Sequence, residues 1–176
     1  MKKLLHVSLV AIVVALVGIS GCSKGSKGDT GAQGPAGPDS VYHSPWAQLS
    51  ATGTIVGSDS LYYEDFSASV ITQRILDSGI VMGFVGLVNG STVTDIASAS
   101  DEGLTTDAFV GGVEVDANYN FTTNAAFPFV YRYVVIPGSA LVTDGAFQGL
   151  SKETIKKMNY ADLNKLLGNT LSIQTN

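Results

Sequence analysis

The chain has 176 residues, with fifteen acidic and ten basic side chains, one cysteine and two histidines. A net charge of −5 disfavours nucleic acid and anionic surfaces as partners. A single cysteine excludes an internal disulfide framework, and so few His and Cys side chains argue strongly against a zinc site.

The first predicted element is an address. Lys2 and Lys3 precede an apolar run, 4–19, that is interrupted only by His6 and Ser8. The run is shorter than the roughly 20 residues that a spanning helix needs, and it is flanked as a secretory signal is. It closes on Ile19-Ser20-Gly21-Cys22: an aliphatic residue, two small ones, then the chain's only cysteine. This pattern resembles the cleavage site of bacterial lipoproteins. The resemblance implies removal of 1–21, a diacylglyceryl thioether on Cys22 and an acyl chain, such as palmitate, on its amine. Several acyl chains hold a protein durably on a bilayer, at about 0.8 kcal/mol per buried methylene. Without Lys2 and Lys3, eight basic side chains face fifteen acidic ones, a side-chain charge of −7.

Residues 22–41 form the second element, a tether. Gly25, Gly28, Gly31, Gly34 and Gly37 recur at every third position, with Pro35 and Pro38 in the second place of their triplets. That is the collagen period. Five triplets make a marginal triple helix, so the expectation is an extended monomeric spacer. At about 3.1 Å per residue it would reach roughly 60 Å from a bilayer. Trimerisation through the triplets is the alternative.

The domain is expected over 42–176. Pro45 disfavours helix before it. Trp46 is read as an indole anchoring the first strand in the core, with a sugar-stacking platform as the alternative. Weak strands are expected at 46–51 and 54–57. Over 61–70, Tyr62, Phe66, Ala68 and Val70 alternate with Tyr63, Asp65, Ser67 and Ser69, which predicts a half-buried strand with Glu64 misplaced on its apolar face. Thr72 and Gly79 bound one or two helical turns. The unbroken apolar run 80–88 predicts a central strand covered on both faces, with Gly83 or Gly86 marking a bulge. Asn89-Gly90 predicts a hairpin into a strand at 92–97. A polar loop is expected over 98–106 and a short strand over 105–110. Over 113–122, Val113, Val115, Ala117, Tyr119 and Phe121 alternate with Glu114, Asp116, Asn118, Asn120 and Thr122. A further strand, 129–136, ends at Pro137-Gly138, and 140–142 is expected to extend it after a turn. The C-terminal part, about 151–168, turns helical, with Ser151 and Asn159 as caps, Ile155, Met158, Tyr160, Leu163 and Leu167 at helical spacing, and Gly168 as the stop. Residues 171–174 are a last strand or a tail.

The segments Tyr63-x-x-Phe66, Ile71-Thr72-x-x-Ile75-x-Asp77-x-Gly79-Ile80-Val81, Phe129-x-Tyr131-Arg132-Tyr133-Val134-Val135-Ile136-Pro137-Gly138 and Met158-x-Tyr160 together resemble envelope lipoproteins of Bacteroidota with Gly-X-Y triplets. The resemblance spans about 42–168. It implies a β-sandwich domain of unknown activity on a lipid-anchored protein of the bacterial outer membrane. The basic Ser23-Lys24-Gly25-Ser26-Lys27 departs from the acidic pattern that surface display resembles, so the leaflet stays open.

No catalytic constellation emerges. After the signal the chain keeps one histidine, His43, too little for a triad without close partners. Asp116 to Asn120 matches the start of a calcium loop but fails at Phe121 and Phe127. A better calcium guess is Asp95, Asp101, Glu102 and Asp107, where a loop could converge oxygen ligands. Arg132, flanked by Val130 and Val134, is expected on an apolar face, paired with Glu64 or Asp77. The fold expectation is all-β: an antiparallel sandwich with a short helical connection and a small helical C-terminal segment. The functional expectation is a monomeric, non-enzymatic envelope module without a cofactor, binding a protein or glycan partner or serving an architectural role. A carbohydrate-active hydrolase or glycan-binding accessory protein and a trimeric collagen-like adhesin are the alternatives. Tyr63 or Tyr119 exposed in a groove beside Trp46 would favour glycan.

Overall fold

The structure is a computed structural model, and it describes residues 40–56 and 59–171. The motif at Ile19, Ser20, Gly21 and Cys22 and the Gly-X-Y triplets lie outside the described residues.

Among the described residues, nine strands form two antiparallel sheets: β1 (Tyr42–His43), β2 (Ala47–Gln48), β3 (Thr52–Val56), β4 (Asp59–Ser67), β5 (Ile80–Asn89), β6 (Thr92–Ser98), β7 (Thr105–Phe109), β8 (Gly112–Ala117) and β9 (Phe129–Ile136). Sheet one runs β1-β9-β5-β6, with β2 also on β9; sheet two runs β3-β4-β8-β7. The sheets enclose one core. Val85, Tyr131, Tyr133 and Val135 of sheet one meet Val113, Val115 and Ala117 of sheet two. Ile71 and Ile75 close it from the connection that carries α1 (Gln73–Ser78). This is the expected sandwich, and the helix at 73–78 is the expected helical connection.

A second core covers the other face of sheet one. Among the described residues, three short helices follow β9: α2 (Gly138–Thr143), α3 (Lys152–Lys156) and α4 (Tyr160–Leu166). Ala140, Phe147, Ile155, Tyr160 and Leu163 pack there on Ile80, Met82, Phe84, Val130, Val134 and Ile136. Each apolar side chain fully removed from water contributes roughly 1.5–3 kcal/mol before the entropy of ordering it. The caps follow the expectation: Ser151 Oγ accepts from the Thr154 amide at 3.1 Å and Asn159 Oδ1 from the Asp162 amide at 2.8 Å. Residues 140–142 differ from it. They are helical, because the chain must turn back over sheet one directly after Pro137.

Both borders of sheet one are interrupted. Pro45 splits the first border into β1 and β2, with Ser44 bridging the gap: its amide donates to Tyr133 O and its Oγ accepts from the Tyr133 amide. On the other border the β5–β6 register shifts between Val85 and Leu87. Asp95 there takes φ +49. A Cβ on Gly86 would meet Val93 and Ile96; the bulge expected at Gly83 and Gly86 lies opposite Gly86, its extra residue carried by β6. In the β5–β6 hairpin, Gly90 takes φ +63, a conformation that suits glycine.

Candidate functional site

The face of sheet one under the helices carries the buried cation. Arg132 is 2% exposed. Its neighbours Tyr131 and Tyr133 point into the sandwich, so alternation along β9 turns Arg132 towards the helices. Its Nη1 donates to Tyr160 Oη at 2.9 Å, and its Cζ lies 4.6 Å from the centroid of the Trp46 ring. Burial lowers the Arg132 pKa, while the Tyr160 phenol works in the opposite direction. The expected ion pair with Glu64 or Asp77 does not form. Glu64 sits on sheet two and accepts from the Ser50 amide at 2.6 Å; Asp77 accepts from Gln73 Nε2 at 2.7 Å on the exposed side of α1. Sheet one itself stands between Glu64 and Arg132. Trp46 is 7% exposed and packs on Tyr160, so it is the core anchor, with neither Tyr63 nor Tyr119 forming a groove beside it. His43 Nδ1 lies 3.3 Å from the carbonyl oxygen of Ser44.

The carboxylates sort differently from the expectation. Asp95 lies on β6 of sheet one, Asp101 and Glu102 on a 3₁₀ turn (Ala99–Glu102), and Asp107 on β7 of sheet two. The calcium guess is therefore corrected: only Asp107 joins an acidic group, and its companions are Glu114 and Asp116, with one oxygen from each within 4.8 Å of the others. The β7–β8 register sets Asp107 opposite Glu114, and Asp65 of β4 faces Glu114 from the other side. Partial burial raises the pKa of Glu114, and the charges of Asp65, Asp116 and Asp107 raise it further. Burial and then Asp107 do the same for Asp116, against a hydrogen bond from Thr105. The polar phase of 113–117 was legible; the facing Asp107 needed the strand pairing.

An aromatic cavity opens where the sandwich ends. The strand expected over 113–122 stops at Ala117, and the chain leaves the sheet as a loop. That loop is pinned at several points. The Thr123 amide donates to Leu49 O at 2.7 Å, the Leu49 amide to Thr123 Oγ1 at 2.9 Å, and Thr123 Oγ1 to Phe129 O. Asn124 Oδ1 accepts from the amides of Ala126 and Phe127. Tyr119 Oη donates to the backbone oxygen of Glu102 at 2.6 Å, tying the loop to the 3₁₀ turn. Burial raises the Tyr119 pKa, and the charge of Glu102 raises it further.

The result is a cavity of about 150 Å³ bounded by the rings of Tyr119, Phe121, Phe127 and Phe129. Phe121 is buried, whereas Phe127 is half exposed at the rim. Glu102 is the charged residue of its lining. A concave, mostly apolar and aromatic lining is characteristic of small-ligand sites. A larger hollow of about 440 Å³ beside Gly83 and Lys156 contains no aromatic ring in its lining. The sequence places Tyr119 and Phe121 on a strand face and presents Phe127 only as a mismatch in a calcium loop. The available signal was the density of rings in 119–129. Among the described residues, no helix is long and apolar enough to cross a membrane. Compared with known protein families, with described proteins and with solved structures, the chain matches none.

Proposed function

We propose that this chain is a non-catalytic binding module of a bacterial envelope, held on a bilayer through acylated Cys22 and carrying its ligand site at the end of the sandwich. The lipoprotein pattern Ile19-Ser20-Gly21-Cys22 supports the anchor. The observation that carries the binding role is the aromatic cavity, whose walls are held by hydrogen bonds from both ends of the 118–128 loop. A preformed apolar hollow binds without first ordering its own walls. The Gly-X-Y triplets fit a spacer that holds a monomeric domain away from its anchor.

The test uses the full chain expressed with its signal. Incorporation of labelled palmitate and recovery in membranes are expected, with both lost in Cys22→Ala. The purified chain in phosphatidylglycerol nanodiscs is then titrated with small aliphatic, aromatic and alkylammonium compounds by saturation-transfer NMR. Saturable binding that Phe127→Ala removes is the expected result. Membrane recovery of Cys22→Ala would overturn the anchor, and a panel without a single binder would overturn the binding role. Hydrolysis of a glycoside or ester panel by the same sample would establish the hydrolase alternative instead, and a trimer in sedimentation would establish the adhesin.

A further inference from the structure

We propose that the aromatic cavity takes a small organic cation, an alkylammonium group of the choline type. The inference rests on the binding role proposed above and names its ligand class. Three observations carry it. Four rings, Tyr119, Phe121, Phe127 and Phe129, surround a single hollow, and the faces of aromatic rings attract a desolvated cation. The one charged residue among the lining residues is acidic, Glu102, with no Lys or Arg beside it. The volume, about 150 Å³, accommodates a guest of benzene size, and a quaternary ammonium with its methyl groups is of that order.

Other guests use less of the site. An anion would meet an acidic residue and neither Lys nor Arg in the lining. A neutral apolar guest would use the rings but leave the carboxylate without a role. The Tyr119 hydroxyl commits its proton to Glu102 O, so it has no proton left to offer an anionic guest. Glu102 adjoins this end of the cavity, where its backbone oxygen takes the Tyr119 hydroxyl. Half-exposed Phe127 leaves the rim accessible.

The test compares choline with 3,3-dimethylbutan-1-ol, its neutral isostere, by calorimetry on the full chain in phosphatidylglycerol nanodiscs. Choline is expected to bind at least ten-fold more tightly. Phe127→Leu, which keeps an apolar rim but removes a ring, and Glu102→Gln should each weaken choline several-fold, and more than they weaken the isostere, with the thermal midpoint unchanged. Equal binding of the two compounds would overturn the inference and leave the binding role standing. Binding of neither, with other panel members bound, would also overturn the inference alone; an entirely silent panel would overturn both. Competition by phosphatidylcholine vesicles would assign the group to a lipid headgroup, and choline binding insensitive to those vesicles would assign it to a soluble cation.

Discussion

Sheet one and sheet two share an antiparallel plan and one core, yet they stand in different surroundings. Sheet one is covered on both faces, and in β9 every residue from Val130 to Ile136 is buried. Sheet two turns its outer face to water and carries Asp65, Asp107, Glu114 and Asp116 there. Covering a face removes the alternation of polar and apolar residues from a strand, because neither direction is wet. The one ionic side chain left in β9, Arg132, is then tolerated because a phenol and an indole receive it. The wet face places the opposite demand on its side chains: like charges are admitted, and the cost is repulsion.

The contrast can be broken most severely at Phe84, wholly buried in sheet one against the helices. Phe84→Ala should cost about 3–5 kcal/mol in denaturant unfolding. Phe109→Ala on sheet two, where the ring is 45% exposed, should cost far less; equal losses would show that the two sheets do not differ as described. Next comes Tyr160→Phe, which deletes the oxygen that accepts from Arg132. A hydrogen bond to a charged group is worth about 1.5–3 kcal/mol, and urea midpoints with an unchanged m-value would report it. Gly79→Ala probes the passage from α1 into sheet one. The new methyl would sit 2.7 Å from Ile136 O and 2.9 Å from Ile75 O, both backbone atoms. Overpacking of this kind costs about 1–3 kcal/mol, measurable as a lower thermal midpoint.

The smallest effect belongs to the wet face. Glu114 and Asp116 have folded-state pKa values above their ordinary 4.5 and 3.8. These two groups therefore hold more protons in the folded than in the unfolded state across the carboxylate range, and their share of stability falls as pH rises through it. The loss begins near the ordinary values and levels off once the folded groups have ionised. Glu114→Gln should shift stability at neutral pH by no more than about 0.5 kcal/mol, upwards. It should also flatten the decline in thermal midpoint between acid and neutral pH; a steeper decline in the variant would reverse the assignment.

Local patterns were readable where local physics decides. The alternation of Val113, Val115 and Ala117, the unbroken run in β5, and the caps at Ser151 and Asn159 all appear where expected. The misses share a different cause. The period of β8 continues to Phe121, but its pairing with β4 ends at Ala117, so the chain departs. Arg132 was placed on an apolar face, yet its partners come from Trp46 and Tyr160, far away in sequence, and depend on which face the helices cover. The acidic group and the aromatic cavity likewise arise from strand register and loop pinning, which no window of residues contains.

The two interrupted borders of sheet one have a consequence for crowding. A continuous flat strand at a rim offers backbone amides and carbonyls to any second copy that drifts alongside. Here the proline gap at Pro45 and the kink at Asp95 deny both rims that template. A neighbouring copy therefore finds no continuous strand to extend on sheet one, and any ribbon between copies would have to start from the rims of sheet two, β3 or β7.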